Sequence, residues 1–201
     1  TKTALKAQKD ALARFRRFLP MLQLKKQQLQ LEIATMRGRV EETERQRDAL
    51  LDAAASWIGL LADESAEIPV VLERVKLGQG NIAGVVIPVY EGIETRRPET
   101  DLFATPAWVD EAAEAAARLM EAAAKIDVLN RQIELIEAEL RTTSQRVNLF
   151  EKVKIPECRE TIRLIGIALG DEQTSAVARG KIAKSRDKSG ESAPVAEEGA
   201  A

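Results

Sequence analysis

The sequence predicts a mainly α-helical protein, in which a long antiparallel two-helix coiled coil carries a short β-hairpin insert between its helices. Two long amphipathic segments repeat apolar residues in alternating steps of three and four. Between them lies a stretch rich in β-branched residues. Aromatic residues make up 3% of the chain and charged residues 31%, a composition typical of long helices rather than of a dense core.

The first segment, residues 3–62, carries the seam of a left-handed coiled coil. An alternating three-four step keeps one apolar stripe facing a partner helix. At about 1.5 Å per residue the segment could span roughly 90 Å, more than a compact core needs. Twelve of its fifteen slots are apolar. The slots are Leu12, Phe15, Leu19, Leu22, Lys26, Leu29, Ile33, Met36, Val40, Thr43, Arg47, Leu50, Ala54, Trp57 and Leu61.

A proline and three polar slots interrupt this stripe. Because Pro20 lacks the N–H that would bond the Arg16 carbonyl, we expect a kink there. We do not expect a stop, since the stripe keeps its phase beyond the proline. Either Lys26, Thr43 and Arg47 meet polar slots of the second helix, or the two helices splay at these positions. Buried polar seam residues more often set register than bind a ligand.

The insert, residues 63–107, predicts a β-hairpin. Val70–Leu77 and Ile82–Tyr90 are rich in β-branched residues, and the glycine-containing segment Gly78–Asn81 lies between them as a four-residue loop. Pro88 would lie on an edge strand, where its missing N–H costs least.

Such a hairpin is too small to be stable alone, so we expect it to lean on the helix ends, with Trp57 and Trp108 as a platform. Gly78, Gly80 and Ala83 partly match the dinucleotide-binding fingerprint. That fingerprint must open a helix, whereas the residues that follow are typical of a strand. A hairpin therefore explains the glycines better than a nucleotide site.

The second helical segment, residues 108–186, repeats the three-four step. Its slots are Leu119, Ala122, Ile126, Leu129, Ile133, Ile136, Leu140, Thr143, Val147 and Phe150. Pro156 then falls in the helix, and the stripe resumes with shifted phase on Ile162, Ile165 and Leu169. We expect weak helix over 171–186 with breaks at Gly170 and Gly180, and disorder over 187–201.

The residue types argue against catalysis by this chain. It has no histidine, which removes the commonest general base and metal ligand. Cys158 is the only cysteine, and we interpret it as a small buried hydrophobe. Glutamates 41, 42, 44, 134, 137 and 139 lie beside arginines 45, 47, 131 and 141, which predicts solvated ion pairs on helix faces. We expect no catalytic, cofactor-binding or metal-binding residues.

The charge is unevenly distributed. Residues 1–31 hold eight basic side chains against one acidic, whereas 63–117 hold eleven acidic against four basic. Residues 179–188 are basic again, so antiparallel helices would bring two basic ends to one tip. This predicts an electronegative partner surface. No aromatic stacking platform accompanies the basic residues, so we expect no nucleic-acid partner.

No apolar run approaches the length of a membrane span, and we expect a soluble cytoplasmic protein without direct membrane insertion.

The stretch from Arg146 to Ile165 resembles the C-terminal helix signature of the D subunit of the V-type/A-type rotary ATPases. That signature has Arg-Val-Asn, then Glu, then Val-x-Ile-Pro and an Ile-rich turn. The N-terminal helix is similar more loosely, and residues 81–91 resemble the hairpin region of some members. The resemblance covers about residues 3–186. The matching motif residues are Arg146, Val147, Asn148, Glu151, Val153, Ile155, Pro156 and Ile162.

The resemblance implies a central-stalk rotor shaft that transmits torque between ATP hydrolysis or synthesis in a catalytic head and ion translocation in a membrane ring. It implies a non-catalytic component without a cofactor, located on the cytoplasmic side and peripheral to the membrane. The implied partners are the A and B subunits of the catalytic head, the small F subunit of the stalk and the d subunit of the collar, which is also called the C subunit.

Two alternatives remain open at this point. One is a prefoldin-like coiled-coil chaperone, whose subunits also place a hairpin between two helices. The other is a static coiled-coil scaffold or a nucleic-acid-binding arm, and binding that falls steeply with salt would favour the latter.

Overall fold

The computed structural model describes residues 1–58, 70–97 and 108–190, except for the side chains of 56–58 and 187–190. The chain is mainly α-helical with an antiparallel β-hairpin between its helices, which confirms the predicted fold class. The elements are helix α1 (Lys2–Ile58), strands β1 (Val71–Ile82) and β2 (Val85–Arg96), helix α2 (Trp108–Leu149), a π-helical turn (Phe150–Lys154, the π-turn) and helix α3 (Ile155–Gly190).

The chain divides into two compact units. The hairpin unit is Leu22–Arg146, and the terminal unit combines Thr1–Met21 with residues from Val147 onward. Each unit by itself pairs a piece of α1 with a later helix.

In the hairpin unit, helix α1 runs antiparallel to α2. Ile33 lines a groove with Leu140, whereas Leu50, further along α1, lines a groove with Ala115, which comes earlier in α2. In the terminal unit, the rings of Phe15 and Phe150 lie with their centroids 5.0 Å apart. Lys2, near the start of α1, lines a groove with residue 169 of α3. The order of these contacts shows an antiparallel arrangement within each unit.

The turn end of the hairpin packs against the middle of the paired helices. Ile87 of β2 is buried in one cluster with Leu29, Ile33 and Met36 of α1 and Ile136 of α2. The prediction that the hairpin leans on the helix ends was therefore wrong. The apolar residues at the turn end find their buried surface at mid-helix, and partly buried neighbours complete the cluster: Ile82, Ala83, Val85, Ile133, Leu135 and Leu140.

The tryptophan platform has no support in the described residues. Trp108 begins α2 and is half-buried. The side chain of Trp57 lies outside the described residues, as does Leu61.

The hairpin turn lies at Ala83 and Gly84, not at Gly78–Asn81 as predicted. Gly78–Asn81 belongs to β1, and both strands are longer than expected. Ala83 and Gly84 have φ of 50° and 83°, the two positive values that a two-residue type I′ turn requires. The side-chain oxygen of Asn81 accepts a 2.9 Å hydrogen bond from the Gly84 N–H. The turn therefore uses Ala-Gly in place of the more usual Asn-Gly.

The two glycines of β1 make room for side chains of the partner strand. Gly78 pairs with Val89, and Gly80 pairs with Ile87. A Cβ on Gly80 would lie 2.8 Å from a methyl of Val89, and one on Gly78 would overlap the carboxylate of Glu91. A glycine inside a strand can thus mark close approach rather than a loop.

Three helix predictions have different outcomes. Pro20 lies inside α1, so the proline does not stop the helix, and the kink stays a prediction. Helix α3 runs through Gly170 and Gly180, so the predicted breaks were wrong. An interior glycine destabilises a helix by only about 1 kcal/mol relative to alanine, so a glycine alone need not end the helix. Residues 187–190, predicted to be disordered, belong to α3, while 191–201 lie outside the described residues.

Replacing either of two glycines with alanine should change the stability of the protein, but in opposite directions. A Cβ on Gly84 or on Gly38 would meet no atom within 4 Å. Gly84 has φ of +83°, so Gly84→Ala should lower the unfolding free energy by about 1 kcal/mol. Gly38 lies in α1, so Gly38→Ala should raise it by about 0.5–1 kcal/mol. Urea denaturation followed by circular dichroism measures both; shifts of equal sign would contradict the assigned turn.

Neighbouring residues on β2 test the docking of the hairpin. Ile87 is 4% exposed and Val86 is 61% exposed. Ile87→Ala should destabilise the protein by about 2–4 kcal/mol, because it leaves a cavity in the shared cluster. Val86→Ala is the matched control and should change stability by less than about 0.5 kcal/mol. Equal losses in the midpoint of denaturation would mean that the hairpin does not depend on the cluster.

Candidate functional site: the helix-pairing interface

The predicted slots of the first helix lie on its less exposed face. Among the described side chains, four slots are buried: Leu29, Ile33, Met36 and Ala54. The other described slots are half-buried: Leu12, Phe15, Leu19, Leu22, Lys26, Val40, Thr43, Arg47 and Leu50. None of the described slots is fully exposed.

The slots of the second helix show the same pattern. Ile136 and Thr143 are each 0% exposed. The other buried slots are Ala122, Ile126 and Val147. The half-buried slots are Leu119, Leu129, Ile133, Leu140 and Phe150. This burial is what a helix-pairing seam requires.

Helix α2 also buries a second face that the sequence analysis missed. Ala124 and Val128 are buried off the seam and line a groove of about 390 Å³ with Leu72 and Val75 of the hairpin. One turn further on, the side-chain amide of Gln132 donates a hydrogen bond to the backbone carbonyl of Pro88. A four-residue spacing of small or apolar residues beside the seam was the available signal. Helix α2 therefore packs against both α1 and the hairpin.

A partly buried ion pair joins the two helices of the hairpin unit. The Lys25 ammonium lies 2.6 Å from a carboxylate oxygen of Glu139. The Thr143 hydroxyl, fully buried on the seam, donates to the same oxygen at 3.5 Å. The hydrogen bond from Lys25 lowers the pKa of Glu139, although burial opposes the effect. This network fixes one position of α1 against one position of α2.

The acidic clusters form ion pairs as predicted, but some of the partners lie on the other helix. Glu137 binds Arg37 of α1 at 2.7 Å, so it bridges the helices rather than pairing within its own helix. Glu134 follows the expectation and binds Arg131 at 2.8 Å. The spacing of acids along a single helix does not show which of them face the partner helix.

Thr43 and Arg47 do not meet polar slots of the second helix. The Thr43 hydroxyl donates to the backbone carbonyl of Arg39 on its own helix. The Arg47 guanidinium binds the adjacent Asp48 at 2.8 Å. The cross-helix lysine is Lys25, next to the predicted slot Lys26.

Tyr90 adds a polar contact between the hairpin and α2. The Lys125 ammonium lies 5.4 Å from the centroid of the Tyr90 ring, within the range of a cation–π interaction. Glu121 binds Lys125 at 2.8 Å. Burial raises the pKa of Tyr90, and the negative charge of Glu121 raises it further. The hairpin is thus attached to α2 by polar as well as apolar contacts.

The family motif lies across the π-turn. Ile155 is 7% exposed and Val147 is 5% exposed, while Ile162 is half-buried. The other motif residues are exposed: Arg146, Asn148, Glu151, Val153 and Pro156. The motif thus supplies both buried positions and surface positions.

Within residues 1–58, 70–97 and 108–190, no group of three or more Cys, Asp or Glu side chains is placed to hold a metal ion. In the same part of the chain, no helix combines the length and apolar character needed to cross a membrane.

Antiparallel helix pairing, cross-helix ion pairs and a hairpin docked at mid-helix define a coiled-coil protein. The family described as the ATP synthase D subunit matches residues 4–185. The chain belongs to this family.

Curated relatives agree over almost the same span. The V-type ATP synthase D subunit of Borreliella burgdorferi is 44% identical over 186 residues, which cover 92% of each chain. Its counterpart in Chlamydia felis is 32% identical over 191 residues, covering 92% of this chain and 91% of the relative. The Chlamydia trachomatis serovar L2 protein is 32% identical over 190 residues, covering 92% and 94%.

A double-mutant cycle tests the ion pair between the helices. Lys25→Met and Glu139→Gln, singly and together, should show a coupling of about 0.5–1.5 kcal/mol at neutral pH. Because the folded-state pKa of Glu139 is lowered, this stability is present above the pKa of the unfolded state. It should be lost as the pH falls through the lowered value.

The exposed pair Arg163–Glu160 within α3 is the control. Its cycle, measured by urea denaturation under the same conditions, should give a smaller coupling. A Lys25–Glu139 coupling that is absent at neutral pH, or unchanged in acid, would contradict the assigned network.

Proposed function

We propose that this chain is a central-stalk component of a V-type/A-type rotary ATPase and acts as its rotor shaft. It would transmit torque between ATP hydrolysis or synthesis in the catalytic head and ion translocation in the membrane ring. The observation that carries the proposal is the family match over residues 4–185. As one component of an ATP synthase complex, the chain leaves nucleotide chemistry to its partners and is not itself catalytic.

The contacts of the hairpin unit suit a shaft. The buried cluster and the two cross-helix pairs, Lys25–Glu139 and Arg37–Glu137, oppose sliding of α1 along α2. Sliding would expose apolar side chains and separate opposite charges, which costs free energy. A helix pair that resists sliding can pass a twist applied at one position to another position of the same unit.

The two helices also present unlike surfaces. The hairpin covers one side of α2 and contacts α1 through the cluster around Ile87. An asymmetric rotor could hold each catalytic interface of the head in a different state, and rotation would move the interfaces through these states in turn.

The finer assignments are part of this proposal. Residues 3–62 and 108–186 would form the shaft, 63–107 would be the insert, and 187–201 a tail. The seam residues and the family motif named above would be its functional positions. Its partners would be the A and B subunits of the head, the F subunit of the stalk and the d (or C) subunit of the collar. The complex would lie on the cytoplasmic side, peripheral to the membrane, and nucleic acid would not be a partner.

The family match and the curated relatives favour the rotor over a prefoldin-like chaperone or a static scaffold. The hairpin contacts also argue against the prefoldin-like chaperone. The strands β1 and β2 pack on the helices of their own chain, which leaves the apolar face of Ile87 unavailable for a barrel shared between several chains.

Purification followed by a rotation assay separates the three functions. The chain, tagged at its C-terminus, should recover the two nucleotide-binding head subunits and the F subunit from native membranes in mild detergent. With the head immobilised, a bead attached to this chain should rotate in one direction when ATP is added. The control is the same preparation with ADP in place of ATP, which should not rotate.

Each alternative gives a different result. A static scaffold would be recovered with its complex, but its bead would stay still in ATP. A chaperone would be recovered with chaperone subunits and without the ATPase head. Either result would overturn the rotor assignment.

A further inference from the structure

The π-turn coincides with a change in the spacing of buried residues within the terminal unit. Before the turn, Val147 is 5% exposed and Phe150 contacts Phe15 of α1. After it, Ile155 is 7% exposed and Cys158 is 6% exposed. The step from Phe150 to Ile155 is five residues, whereas a three-four stripe allows only three or four.

The stripe beyond the turn is offset by one residue. Among the half-buried residues that follow, Ile162, Ile165 and Leu169 continue this offset stripe. An uninterrupted stripe would instead use Lys154, Glu157, Thr161, Leu164 and Ala168. Of these, Lys154 and Thr161 are half-buried and the other three are exposed, Leu164 at 53%, so none is buried as Ile155 and Cys158 are. In an α-helix one extra residue rotates all that follows by about 100°. The π-turn absorbs that rotation.

The hydrogen bonding agrees with an inserted residue. The Ile155 N–H donates to the carbonyl of Phe150, five residues back, where an α-helix would use the residue four back. Two causes could produce this turn. Pro156 lacks an N–H and would clash with the Lys152 carbonyl in a regular helix. Alternatively, the spacing of the buried residues requires the extra residue.

We propose that the π-turn is a one-residue insertion that shifts the phase of the buried stripe. The spacing of Phe150, Ile155 and Cys158 holds it in place, and Pro156 does not. The insertion sets the face of α3 that packs in the terminal unit. The apolar residues beyond the turn decide between the two causes. Without the insertion, Ile155 and Cys158 would rotate outward, and Glu157 would enter the buried stripe. Burying that carboxylate without a partner would cost free energy, which opposes loss of the insertion.

The same insertion determines which residues α3 presents to its surroundings. Leu164, which an uninterrupted stripe would include, is 53% exposed, and Ile167, which lies on neither stripe, is 51% exposed. In a shaft, and only if the proposed function holds, these side chains would face the surrounding proteins of the complex. The test below uses the isolated full chain and does not depend on that function.

Cys158 is a natural reporter of the phase. It is the only cysteine of the chain and is buried, so its thiol should react slowly with an aromatic disulfide reagent in the native protein. Pro156→Ala should leave this rate within about twofold, because the spacing keeps the turn. The double variant Glu157→Cys, Cys158→Ser places a thiol on the exposed neighbour and should react on the order of tenfold faster or more.

Two deletions of exposed glutamates, both in the Pro156→Ala background, form a matched pair. Deletion of Glu151 removes the extra residue and leaves a continuous three-four stripe. Its thermal midpoint should equal or exceed that of Pro156→Ala, with Cys158 still protected. Deletion of Glu160 moves Ile162, Ile165 and Leu169 off the stripe, and its midpoint should fall by several degrees, on the order of 5 °C.

The outcomes decide the cause of the turn. Rapid thiol reaction in Pro156→Ala would mean that proline holds the turn, and the proposal would be overturned. It would also be overturned if deletion of Glu151 lowered the midpoint as much as deletion of Glu160, or prevented folding. A protected thiol, with only the Glu160 deletion destabilised, is the result that the phase insertion requires.

Discussion

The hairpin unit depends on one cluster of buried aliphatic side chains that three elements share. Helix α1 contributes Leu29, Ile33 and Met36, helix α2 contributes Ile136, and strand β2 contributes Ile87. Full burial of each such side chain is worth about 1.5–3 kcal/mol. A two-stranded hairpin is marginally stable alone and needs a surface to pack against. The same cluster therefore contributes both to the pairing of the helices and to the docking of the hairpin.

The periodic part of this architecture could be predicted from the sequence because periodicity is a local property. An alternating three-four step identifies a helix with one buried stripe, whatever its partner, and no described slot is fully exposed. The hairpin's existence followed from its β-branched residues, but its turn did not. Gly78 and Gly80 indicated a loop by the usual preference of glycine, whereas both lie in β1 close to side chains of β2. The turn itself uses Ala83.

The contacts between elements could not be predicted, because they depend on register and on a third partner. Glu134 and Glu137 look alike on a single helix, yet Glu134 binds Arg131 of the same helix and Glu137 binds Arg37 of α1. Val128 lies beside the seam, and only the position of the hairpin explains its burial. Sequence reasoning assumed two partners and therefore one stripe for each helix. A third element gives α2 a second buried face, and small residues such as Ala124 permit its close approach.

The hairpin also makes the two sides of the helix pair different, which a rotating shaft would need. Two helices joined by one regular stripe have nearly equivalent outer surfaces, and rotating such a pair would present similar faces to its surroundings. In the hairpin unit, the contacts of Tyr90 and Gln132 tie β2 to α2, so one side of the pair differs from the other. Asymmetry of this kind needs no catalytic residue. It needs only that the hairpin stay docked, and this again depends on the burial of Ile87 beside Ile136.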